Sequence, residues 1–157
     1  MLLRATARQC AIGLLDPLPA VRLCPQKLVG AYLAPLEHGQ VLPLGEAGSM
    51  EVLHTPGHSS GSVCYHAKPS AEGAWEPRVM VGDTIFPGSC GRLDLPESNV
   101  DDMFESMELL RRLDDSLPVF PGHAYSGAST TIGREKATGL LRPFTRQQWT
   151  QMHRRDC

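Results

Sequence analysis

Two imidazoles and one carboxylate occupy equivalent places in this sequence. His58 follows MEVLHTPG, Asp83 follows RVMVG and His123 follows PVFPG, so each ends a short hydrophobic run just after a glycine. Imidazole nitrogen and carboxylate oxygen are the donors that zinc and ferrous iron take, and strand ends in one rigid sheet would aim all three side chains into one cleft. The arrangement is therefore read as part of a metal site, whose chemistry would be acidification of a bound water and polarisation of a substrate carbonyl.

The neighbours of these residues have competing roles. His54 and His58 are four apart, a spacing that on a helix would put both on one face, but Pro56 and Gly57 lie between them and exclude a helix. His58, beyond the Pro-Gly turn, is the ligand candidate, and His54 is assigned to packing or hydrogen bonding. Taken alone, Asp83 also suits a cap on the following turn through the amides of Thr84 and Ile85; the company of His58 and His123 favours the ligand. Arg92 and Asp94 lie in FPGSCGRLDLP, and they form either a local salt bridge or a guanidinium fork for an anionic part of a substrate.

The elements that must carry these side chains follow from patterning. Gln40 to Leu44 and Met50 to His54 read as a hairpin around Gly45, Gly48 and Ser49. Ser62 to His66 reads as the next strand, KPSAEGAWEP as a surface loop with little to hold it, and Arg78 to Val81 as a buried strand. The Phe86 to Pro96 stretch, with its glycines and prolines, reads as irregular. Val100, Met103, Phe104, Met107, Leu110 and Leu113 recur at helical spacing and predict a helix from Ser98 to Leu113, capped by Ser98 with Asp101, its methionines serving as core filler. Leu117 to Phe120 is a further strand. Helix is expected to begin again near Arg134, and an amphipathic C-terminal helix should hold Phe144, Trp149 and Met152, with His153 solvated among basic residues.

Composition limits the partners. The 157 residues are 41% hydrophobic, the size of one ordinary domain. Fifteen basic and seventeen acidic residues give a net charge of −2 without long runs of one sign, so no nucleic-acid partner is expected. No apolar run reaches the roughly 20 residues of a membrane helix, and no membrane partner is expected. Five scattered cysteines without Cys-x-x-Cys spacing predict reduced thiols and a cytoplasmic protein. Arg4 and Arg8 precede the first acid, Asp16, which makes a mitochondrial presequence the alternative. Five prolines between residues 16 and 43 forbid a long helix there.

HTPGHSSGS, VGDTIFPGSCGR and FPGHAYSG, in that order and followed by TTIGREKAT, resemble the later motifs of the metallo-β-lactamase superfamily, in particular its glyoxalase II and persulfide dioxygenase branch. The resemblance covers about residues 39 to 141. It implies an α/β fold, the αββα sandwich, present as its C-terminal portion across 39–157, with 1–38 a poorly defined remnant or weak presequence. It further implies that His58 binds a first metal, that Asp83 is the catalytic carboxylate bridging two, that His123 binds the second, and that Arg92 and Tyr125 face a thiol-derived substrate.

The family's upstream His-x-His-x-Asp-His signature has no counterpart, since only His38 precedes His54. The first half of the sandwich would thus lie before Met1, and each ion would keep two protein ligands where a catalytic zinc holds three and a water. Convergence of all three side chains on one ion, a two-His, one-carboxylate set, is the disfavoured arrangement. The function implied is hydrolysis of a small thioester, an acyl-glutathione, by metal-bound hydroxide with one or two Zn²⁺. Mononuclear Fe²⁺ persulfide dioxygenation is the first alternative, and a catalytically inactive pseudoenzyme or binding fragment the second. Bare strand edges and apolar faces would call for a second copy to cover the sheet.

Overall fold

The computed structural model describes residues 36–153. The readings made for 1–35 and for the four last residues lie outside them. Among the described residues, eight strands and three helices form a mixed α/β arrangement around one core. Strands β1 (Val41–Pro43), β2 (Gly48–His54), β3 (Val63–Pro69) and β4 (Arg78–Gly82) form an antiparallel meander, continued by β7 (Pro118–Pro121) and β8 (Thr130–Thr131). Their spatial order is β1-β2-β3-β4-β7-β8, with β7 parallel to β4 and β8 antiparallel to β7. A parallel neighbour requires a crossover, and helix α1 (Val100–Arg111) supplies it. Helices α2 (Ile132–Thr138) and α3 (Arg146–His153) follow β8.

Directly paired residues share a face of the sheet, so the register separates its two sides. Leu53 opposite Cys64, and Val79 opposite Val119, face the helices and join Met103, Met107 and Leu110 of α1, Ile132 of α2 and Trp149 of α3 in the core. Val52, Tyr65, Met80 and Phe120 pair in succession across four strands on the other face. This second apolar row lies outside the helix-packed core, and Phe120 is 38% exposed at its end.

Several local expectations are corrected. The helix begins at Val100, and its cap is Asn99, whose side chain accepts from the Asp101 and Asp102 amides at 2.9 and 3.1 Å. Ser98 instead closes a turn on Leu95 through its hydroxyl. The stretch read as irregular after Asp83 contains a two-residue hairpin, β5 (Ile85–Phe86) and β6 (Ser89–Cys90), made by Gly88 at φ +75°. The excursion after β3 is held: Ser70 donates to Glu46 O and the Trp75 indole to Ala47 O, tying it to the first hairpin.

His153 is half-buried. It sits one helical turn from Trp149, with ring centroids 4.3 Å apart, and burial lowers its pKa. The hairpin of β1 and β2, the strands preceding Asp83 and His123, and the apolar face of α1 stand as read. Among the described residues no helix is long and apolar enough to cross a membrane.

Candidate metal centre

Strands β2, β4 and β7 run in one direction and end at one edge of the sheet, where the chain turns into the loops carrying His58, Asp83 and His123. The Pro56–Gly57 turn lies on the start of α1. Ser106 donates to Pro56 O at 2.6 Å, and the Asn99 amide to Gly57 O at 2.7 Å. Gly57 has φ +140°, and a Cβ there would stand 2.6 Å from Met103 Cα, so glycine is required on both counts. On the parallel pair, the Gly122 amide donates to Gly82 O at 2.7 Å. A Cβ on Gly122 would meet Asp83 Oδ1 at 2.7 Å, so the bare backbone brings the loop of His123 against the carboxylate.

The three side chains converge as two pairs around the carboxylate. His58 Nε2 lies 3.6 Å from Asp83 Oδ2, and His123 Nε2 lies 3.6 Å from Asp83 Oδ1. The three side chains are 23%, 26% and 30% exposed. A separation of 3.6 Å is too long for a direct hydrogen bond. It is close to the roughly 3.4 Å expected between two ligands about 2.1 Å from one tetrahedral ion. Asp83 accepts no amide from the turn after it, because the Thr84 amide donates back to Val81 O at 3.0 Å; the capping role is not the one built.

The other ring nitrogen of His58 is also held. Its Nδ1 lies 3.0 Å from Arg92 O. A carbonyl only accepts, so Nδ1 bears a proton, and Nε2 is the ring nitrogen left to face Asp83. Fixing the remote ring nitrogen on a carbonyl is also the usual support of a metal-bound histidine.

The donor set fits a metal only in part. Among the described residues no group of three His, Cys, Asp or Glu gathers to hold one ion, so the single-ion arrangement is not built. Two half-sites share Asp83 instead, each with one imidazole and one carboxylate oxygen, which is short of the three protein ligands of a catalytic zinc.

Other neighbours were not apparent from the sequence. Thr55, at the end of β2, and Thr84, after Asp83, are buried and joined hydroxyl to hydroxyl at 3.1 Å, and Thr55 also meets Cys64 Sγ at 3.2 Å. This bond ties the loop of His58 to the loop of Asp83 across β3. The signal lay in the small polar residue beside each ligand motif, Thr in HTPGH and Thr in VGDT. Cys64 and Cys90 are free, and burial pushes the Cys64 thiol up to about 11 and that of Cys90 to about 12, so neither is thiolate at neutral pH.

The two substrate candidates are placed differently. Tyr125 is 76% exposed and stacks on His123 with centroids 4.8 Å apart, its edge supported by Phe86 at 5.5 Å. Arg92 points its fork at Asp94, with Nε and Nη2 donating at 2.9 Å each, so the local pair exists. A groove of about 580 Å³ lies between this loop, Leu140 and the Met152–His153 end of α3.

Gly91 allows the loop to touch both ligands. A Cβ there would stand 2.2 Å from Asp83 O and 2.9 Å from the His58 ring. Gly91→Ala is expected to cost about 1–3 kcal/mol through overpacking and to move the ring away from Asp83. Thermal unfolding with the His58 ring NMR signals checks both parts; an unchanged ring environment would contradict this account.

No protein-family model matches the chain. Relatives do. The Mycobacterium leprae protein ML0493 is 41% identical over 99 residues, covering 62% of this chain and 41% of that protein. A hydroxyacylglutathione hydrolase of Prochlorococcus marinus is 36% identical over 78 residues, covering 50% and 30%. The chain thus spans less than half the length of these two relatives.

Among solved structures, a metallo-β-lactamase from Staphylococcus aureus gives a TM-score of 0.66 at 30% identity, covering 75% of this chain and 37% of that one. ETHE1 from Myxococcus xanthus gives 0.67 at 27%, covering 79% and 52%. TTHA1623 in a di-iron-bound form gives 0.54 at 39%, covering 69% and 48%. In sequence and fold the chain is similar to metallo-β-lactamase proteins of known structure, and at partial coverage it resembles hydroxyacylglutathione hydrolases.

Proposed function

We propose that His58, Asp83 and His123 form the carboxylate-centred face of a hydrolytic metal site acting on a small thioester of the acyl-glutathione class. The observation that carries this reading is the pair of 3.6 Å contacts from one carboxylate to two imidazoles, one of them with its tautomer fixed by Arg92 O. His58 with Asp83 Oδ2 would hold one ion and His123 with Asp83 Oδ1 the other, Zn²⁺ being suited to the donors and Fe²⁺ the alternative. When bound, such ions supply a water acidified to near neutral pH and Lewis-acid polarisation of the thioester carbonyl.

The chain's own residues do the rest. Asp83 presents one oxygen to each half-site. The exposed ring of Tyr125, stacked on His123, offers a flat apolar support for the thiol-derived part of the substrate. Arg92, at the rim, can give its outward N–H groups to a substrate carboxylate while Asp94 holds its other edge. In the net reaction the acyl C–S bond breaks, a C–O bond to the water oxygen forms, and the thiol leaves with one of the water's protons.

Likeness to ETHE1 supports a second reading, iron-dependent oxygenation of a persulfide drawn from the same motifs. The two-donor half-sites support a third, a chain without catalysis of its own. One experiment separates them: the purified chain is titrated with Zn²⁺ and with Fe²⁺, and thioester loss and oxygen uptake are followed with acyl-glutathione and glutathione persulfide. Zinc-dependent thioester loss that His58→Ala abolishes is the expected result. Oxygen uptake with iron would overturn it in favour of the second reading, and a folded chain with neither activity in favour of the third.

A further inference from the structure

The geometry points to Glu135 as a positioning residue for His58, an inference that rests on the metal-site reading. Glu135 lies in the first turn of α2 and is 2% exposed, yet its two hydrogen bonds come from neutral donors: Thr130 Oγ1 to Oε1 at 2.8 Å, and the Gly88 amide to Oε2 at 3.1 Å. A buried carboxylate that neutral donors alone satisfy is costly in a protein interior, so its presence calls for a reason. Gly139 makes room for it, since a Cβ there would overlap the carboxylate.

The reason lies in what the Gly88 amide begins. Gly88 opens the turn between β5 and β6, Gly91 then packs on Asp83 O and the His58 ring, and Arg92 O accepts from His58 Nδ1 at 3.0 Å. One buried carboxylate, 47 residues away in sequence from Gly88, thus pins the start of the loop whose end sets the tautomer and orientation of the imidazole. None of its atoms faces the proposed ions, so Glu135 acts through the loop; buried supports of this kind commonly change metal affinity about 10–100-fold when removed.

The test compares Glu135→Gln with Glu135→Leu. The amide can still accept from the Gly88 N–H through its oxygen and donate to the Thr130 hydroxyl through its nitrogen, whereas leucine keeps the bulk and accepts nothing. Long-range ¹H–¹⁵N NMR of the metal-free chain reads the His58 ring: wild type and E135Q should show the Nδ1–H form, and E135L a mixture of both tautomers. Zinc titration of the same samples should show affinity lowered about 10–100-fold in E135L and restored within a few-fold in E135Q.

E135L with an unchanged His58 tautomer, lowered only in melting temperature, would overturn the inference and leave Glu135 a structural residue. Should E135L not fold, Glu135→Asp, which retains charge but shortens the reach by one methylene, is read by the same two signals. A wild-type chain that binds no zinc would sink the proposed function but not this inference, because the tautomer is measured without metal.

Discussion

Asp83→Asn is expected to abolish measurable metal binding at both half-sites, with zinc affinity lowered at least about 100-fold, more than loss of a supporting residue costs. The argument is one of sharing. His58 and His123 each meet a different oxygen of the same carboxylate, so in the proposed site this single side chain would carry half of the protein donors at each ion. Asparagine keeps the volume, removes the charge and replaces one acceptor by an N–H₂ donor pointed at an imidazole or a cation.

The comparison variants sharpen the expectation. His58→Ala should remove binding at one ion and leave the His123 half weakened, whereas D83N should remove both. Calorimetric titration with zinc, with circular dichroism as a check on folding, distinguishes these results. A D83N chain that binds zinc like the wild type would show that the two 3.6 Å contacts are incidental.

Trp149→Ala is expected to destabilise the chain by about 3–5 kcal/mol, a large part of the about 5–15 kcal/mol that holds a domain folded. Trp149 is fully buried, stands 6.1 Å by ring centroids from both Phe104 and Phe144, and donates its indole N–H to Val100 O at 2.9 Å. It is the chief contact through which α3 docks on α1, and α1 is the element on which the His58 turn rests. Loss of the indole should therefore loosen the metal centre as well as the helix.

Arg146→Ala makes the control, since that side chain bridges Asp101 and Glu105 from the surface of the same helix, where solvent screening leaves such exposed pairs weak. Urea unfolding of both variants checks the contrast. Equal, small effects would mean that α3 is not part of the cooperative core.

Much of this was legible in local chemistry. Pro56–Gly57 and Gly122 announce where strands stop, because proline removes a ladder donor and glycine takes turns that other residues resist. Hence the ends of β2, β4 and β7, and the ligand candidates after them, could be read off directly. The α1 face was readable because Met103, Met107 and Leu110 recur at the helical period. The cap was misplaced by one residue because Ser98 and Asn99 are both cap formers, and only the turn that Ser98 makes with Leu95 assigns the task to Asn99. His153 was misread from its basic neighbours, although its spacing of four from Trp149 already put the two rings on one face.

By itself the sequence determined the strand ends before His58, Asp83 and His123 and marked these three as candidate donors, because strand ends depend on backbone sterics within a few residues. Tertiary structure alone decided that Asp83 stands between two imidazoles instead of capping its own turn, and that Glu135 reaches the loop beneath His58. Those relations depend on the α1 crossover that sets β7 parallel beside β4, and on close approaches at Gly91 and Gly122 between segments distant in sequence. Spacing along a chain carries no information about such approaches until the layers have packed.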